Sequence, residues 1–176
     1  MAPSFFLLLL LCTASCRALP GLPLTGIFQP IDEIEFYEKL SDREKGQFNE
    51  TAERFVSQVE AGLTADFHEF VLLAKTKYAA LYEKLLLLEG QLKTHVDALP
   101  ASVQKFVHVR REEVTRWFEF GTLNTTAVAR TMELTARDIA AMDMEERGFA
   151  FGFFPSMQII LENWDFKASV APHDYT

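Results

Sequence analysis

The side chains able to do chemistry in this 176-residue chain are few and scattered. The cysteines are Cys12 and Cys16; the histidines are His68, His95, His108 and His173. That is too few soft ligands for a zinc or iron–sulfur site, and no H-E-x-x-H or EF-hand spacing joins them to carboxylates. His108 with Glu112 is a lone i,i+4 pair and reads as a solvated helix face. No G-x-S-x-G elbow, P-loop or G-x-G-x-x-G loop offers nucleophilic or phosphate chemistry. Glu112-Glu113 and Glu145-Glu146 adjoin Arg110, Arg111 and Arg147, but sequence neighbours do not face each other on a helix. They read as solvated charges, so no catalytic, metal or cofactor residue is assigned and the chain is not read as an enzyme.

Three positions could carry a modification. Ser41-x-x-Glu44 fits an acidophilic-kinase consensus, which would phosphorylate Ser41, and equally fits a helix capping box. Capping is favoured because apolar periodicity follows directly. Asn49-Glu50-Thr51 and Asn124-Thr125-Thr126 are glycosylation sequons, and Asn124 competes as a helix N-cap.

Charge narrows the partners. Against 25 Asp and Glu there are 17 Lys and Arg, a net charge of −8, with no basic run. Nucleic acid is therefore not expected. Residues Phe5 to Cys12 form an apolar run too short to span a bilayer, followed by small residues and Arg17. This reads as a secretory signal peptide over residues 1–18, cut after Ala18 or after Cys16, either of which removes both cysteines. The mature chain is then expected in the extracellular space, held together by its core without a disulfide.

The remainder reads as helices. Residues 19–30, with Pro20, Pro23 and Pro30, form an irregular lead-in; residues 31–167 form one helical domain and residues 168–176 a flexible tail. Ile31 to Leu40 places Ile34, Tyr37 and Leu40 on one side. From Ser41 a second helix carries Phe48, Ala52, Phe55, Val56 and Val59. Asp66 with Glu69 opens a stripe of Phe67, Phe70, Val71, Ala74, Tyr78, Leu81, Leu85, Leu88, Leu92 and Val96, with a break expected near Ala74 to Lys77. Leu85 to Leu88 is apolar all round and should be buried on every side or face a cavity. After Pro100, the stripe Val103, Phe106, Val107, Val114, Trp117 and Phe118 is expected to end at Gly121 as a C-cap. Asn124 to Met142 carries Val128, Met132, Thr135, Ile139 and Met142. A Phe-rich element over Gly148 to Pro155 and a short helix over Met157 to Leu161 close the domain. With no period-2 alternation and no hairpin signal the fold class is all-α, a compact single-domain bundle of amphipathic helices.

The chain holds 16 phenylalanines, all but Phe5 and Phe6 in the mature part. Bulky rings fill a core or line a cavity, and composition leaves both open. Local strings then matter: IDEIEFYEKL at Ile31 to Leu40 with the Ser41-x-x-Glu44 box, Leu81-Tyr82-Glu83-Lys84, Val96-Asp97-Ala98-Leu99 leading into Lys105-Phe106-Val107, Ala136-Arg137-Asp138-Ile139, and Phe154-Pro155. In this order the chain resembles the nematode fatty-acid- and retinol-binding family, secreted all-helical lipid carriers, and departs from it in the aromatic run Gly148 to Phe154. The resemblance implies an internal apolar cavity that holds fatty acids and retinol non-covalently. Its expected lining is Phe70, Leu73, Tyr78, Leu81, Leu85, Leu88, Phe106, Val107, Trp117, Phe118, Ile139 and Met142. Lys75, Lys77, Lys105 and Arg116 are the candidate rim cations for a carboxylate head group. Small hydrophobic lipids are the expected partners of a monomer that touches a membrane or receptor only transiently. The alternative is a secreted helical effector acting on a host receptor, for which an outward apolar patch, not an enclosed cavity, would be the sign.

Overall fold

The computed structural model describes residues 27–60, 67–114, 117–119 and 122–163. The expected signal peptide, Asp66, Arg116, Gly121 and residues 168–176 lie outside them. Eight helices are described: α1 (Ile31–Lys39), α2 (Asp42–Glu60), α3 (Phe67–Lys75), α4 (Ala79–Ala98), α5 (Ala101–Val114), α6 (Thr125–Ala141), α7 (Met144–Phe153) and α8 (Pro155–Asn163). The all-α single domain is as the periodicity predicts.

The caps explain where helices begin. The Ser41 hydroxyl accepts from Glu44 N, while the Glu44 carboxylate takes the Ser41 N–H at 3.0 Å and its hydroxyl at 2.8 Å, so the capping box opening α2 is real. Asn124 Oδ1 accepts from Ala127 N at 2.9 Å and caps α6. A second complete box, Asp143 with Glu146, opens α7 and escaped the sequence reading. The long Phe67-to-Asp97 pattern breaks within the expected stretch, where Ala74 O takes the N–H groups of Lys77 and Tyr78.

The helix after Pro100 is shorter than expected. It ends at Val114, and the chain then forms a two-residue antiparallel ladder, Phe118 opposite Leu123 and Glu119 opposite Thr122. Asn124 N donates to Trp117 O at 2.6 Å and closes this corner. Trp117 is buried at this corner, just before the ladder. So small a ladder leaves no alternation to read in a sequence.

Two hydrophobic cores result. One collects Leu40, Phe48, Ala52, Phe55, Phe67, Phe70, Val71, Ala74, Leu81, Leu85, Leu88 and Leu92 from α1–α4. The other collects Val96 and Leu99 with α5–α8, and includes Ile27 and Phe28 of the lead-in. Helix α4, about 30 Å long at 1.5 Å per residue, runs through both. Each core has its own ring cluster: Phe48, Phe55 and Phe67 around Phe70 in the first, and Phe28 between Trp117 and Phe154 in the second. Most of these rings meet edge to face, the arrangement their quadrupoles prefer.

The expectation that the arginines of α5 are solvated is wrong. Arg110 is 2% exposed, with Nη2 on Asp138 at 2.8 Å and Nη1 on Glu113 at 2.6 Å. Nη1 also donates to Thr135 Oγ1, and Trp117 Nε1 donates to Thr131 Oγ1 at 3.0 Å. Burial lowers the Arg110 pKa and its two carboxylates raise it. Its position on the inward face of an otherwise charged turn, three residues past Val107, is the signal that was overlooked.

Candidate functional site

The expected cavity residues divide between two cores. Phe70, Leu81, Leu85 and Leu88 belong to the first core, against which Leu73 and Tyr78 pack; Phe106, Val107, Trp117, Ile139 and Met142 belong to the second. The Phe118 side chain lies outside the described residues. Leu85 and Leu88 therefore do not face the Phe106 helix. Nor is the Leu85 to Leu88 turn buried all round: Leu86 is half-buried and Leu87 is 69% exposed.

That exposure has a reason. Leu86 and Leu87 line an open groove between α1 and α4, of about 890 Å³, within the roughly 300–1,000 Å³ typical of small-molecule sites. The two helices run antiparallel, since Asp32 at the start of α1 meets His95 near the end of α4, while Glu44 just past α1 pairs with Lys84 near the start of α4. Phe36, Leu40, Leu86, Leu87, Gly90 and Ala98 supply the apolar wall. Gly90 matters here because a Cβ built on it meets nothing within 4 Å. Its missing side chain is space in the groove.

The two ends are polar and different. At one, His95 Nδ1 lies 2.7 Å from Asp32 Oδ2, beside Thr94 and Gln91. At the other stand Lys39, paired with Glu35 at 2.8 Å, and Lys84, paired with Glu44 at 2.7 Å. Hydrogen bonds from Lys84, then from Ser41, hold the Glu44 carboxyl down to about 2. From Lys84 to His95 the groove wall follows α4 for about 16 Å at 1.5 Å per residue.

The expected rim cations are elsewhere. Lys75 is exposed over the Tyr82 ring, Lys105 is exposed on α5, and Arg116 lies outside the described residues. Lys77 binds Glu50, which also accepts from the Tyr78 hydroxyl. Lys39 and Lys84 were missed because a cation's nearness to an apolar wall depends on which two helices pair. Ser41 is exposed and serves as the α2 cap; Asn49 is exposed on α2, next but one to a buried Thr51 whose hydroxyl donates to Gln47 O. Among the described residues no group of three His, Cys, Asp or Glu is placed to hold a metal, and no helix is long and apolar enough to cross a membrane.

Comparison with protein-family models, with curated proteins and with solved structures gives no match.

Proposed function

We propose that the chain is a secreted carrier that binds fatty acids and retinol non-covalently, with the ligand lying in the α1–α4 groove. The observation that carries this reading is the groove itself: an elongated apolar wall with exposed Leu87, a vacant recess at Gly90, and Lys39 and Lys84 at one end. A carboxylate head group would sit by those lysines, of which Lys39 is held only by an exposed, exchangeable pair with Glu35, and the hydrocarbon would run toward His95. Each buried methylene contributes about 0.8 kcal/mol, so ten of them reach about 8 kcal/mol, the micromolar range. The resemblance of local strings to the nematode fatty-acid- and retinol-binding family supports the same ligand class. The site differs from the internal cavity which that resemblance implies.

Native mass spectrometry of protein secreted by a eukaryotic host tests the reading. Co-purified lipid, lost from a Gly90→Phe variant, is expected. Lipid-free wild-type protein that takes up none on incubation with oleate would contradict it.

One set of observations favours the effector alternative. Met144, Phe149 and Ile159 are exposed at 88%, 41% and 64% on the neighbouring helices α7 and α8, as a protein-binding surface would require. A lipid-free protein would move the function to that surface.

A further inference from the structure

We infer that α1 is a hinged wall of the groove, clamping cargo at mildly acid pH and loosening as pH rises; the inference rests on the groove being the ligand site. Helix α1 has nine residues, and its N-cap, Pro30, provides no side-chain cap. A helix this short has almost no stability of its own, so what it packs against decides whether it stays. Its second half is seated in the first core by Leu40 and by Phe36 and Tyr37 against Phe48, whereas its first turn rests on two polar contacts, one of which depends on a proton.

The first is Glu33. It is 1% exposed, and neither of its carboxylate oxygens has a hydrogen-bond partner. Arg111 of α5 attracts its charged form and Asp32 opposes it, but desolvation outweighs both and brings its pKa up to about 8. Burial likewise brings Arg111 down to about 10, against the pull of Glu33. The second contact is Asp32 with His95 of α4, at 2.7 Å, with the His95 ring set edge-on against Phe153 at 4.9 Å. Glu35 and Lys39 pair with each other on the exposed side of α1 and take no part.

Glu33 sets the direction of the pH response. As pH rises Glu33 becomes a buried charge without a hydrogen bond, which is costly. For Glu33 the folded-state pKa lies above the ordinary 4.5, so its contribution is whole below 4.5 and is lost as pH rises to about 8. With its first turn freed, α1 pivots on its Leu40 end, which stays in the first core, and the groove opens on the His95 side.

Hydrogen exchange of the α1 amides, corrected for intrinsic rates, and binding of a fluorescent fatty-acid analogue are measured from pH 6 to 9. In the wild-type protein α1 protection is expected to fall about a hundredfold relative to α6, with probe affinity falling several-fold alongside it. Glu33→Gln should flatten both profiles; Glu33→Met, also uncharged, serves if the amide packs badly. Flat α1 protection in wild type, or the same decline in both variants, overturns the hinge even where the probe binds. A probe that binds at no pH sinks the carrier reading and with it the gating of cargo, whatever α1 does.

Discussion

Leu87 and Gly90 lie three residues apart on the same face of α4 and give the groove opposite features, a 69% exposed apolar side chain and a recess with no side chain. A glycine inside a helix is destabilising by up to about 1 kcal/mol relative to alanine. Gly90→Ala should therefore raise stability by that amount, since its Cβ meets no atom within 4 Å. Urea unfolding checks it; a destabilised Gly90→Ala would mean that the recess is a packing requirement and not free space.

Arg110 should be costly to remove alone and cheap to replace by an apolar side chain of similar length. Arg110→Ala removes the buried guanidinium from Asp138 and Glu113 and leaves a hole, a loss of roughly 3 kcal/mol. Arg110→Met should lose clearly less, because the methionine refills the space. Equal losses in chemical denaturation would show that the charge, not the volume, holds α5 to α6.

The two sequon asparagines should separate. Asn124→Ala removes the cap of α6 and should cost about 1 kcal/mol, whereas exposed Asn49→Gln should change stability by less than about 0.5 kcal/mol. Gel mobility after endoglycosidase treatment of protein expressed through a eukaryotic secretory route tells independently whether either carries glycan.

Two glutamates give stability opposite slopes with pH. Glu44 is depressed to about 2, so its contribution is present above 4.5 and lost as pH falls through 2; Glu33 is raised to about 8, so its contribution is lost as pH rises from 4.5 to 8. Unfolding free energy measured from pH 3 to 9 should flatten on the acid side in Glu44→Gln and on the alkaline side in Glu33→Gln. A shared change on one side only would refute the assignment.

Sequence patterning reached the helices and their inward faces, but not how the faces pair. Phe70, Leu81, Leu85 and Leu88, and separately Phe106, Val107 and Ile139, are buried as their spacing requires. Whether two apolar stripes share one core is a tertiary property that no periodicity carries, and here they build two. Ile27 and Phe28 were read as lead-in because prolines surround them, yet both are wholly buried in the second core. Glu33 was hidden by its composition: a carboxylate in a Glu-rich helix reads as solvent-facing until a neighbour covers it. The groove was legible only as an anomaly, the apolar turn at Leu85 to Leu88, whose Leu87 faces outward.

The most direct measurement is titration of a fluorescent long-chain fatty-acid analogue into the wild-type protein and into Gly90→Phe, each first shown to be folded by far-UV circular dichroism. The account predicts blue-shifted emission and micromolar or tighter binding to wild type, competed by oleate and by retinol, and at least about a tenfold loss in Gly90→Phe, some 1.4 kcal/mol. Lys39→Glu with Lys84→Glu should weaken oleate more than retinol. Equal binding to wild type and Gly90→Phe would place the ligand elsewhere, and no emission shift with wild type would contradict the carrier reading.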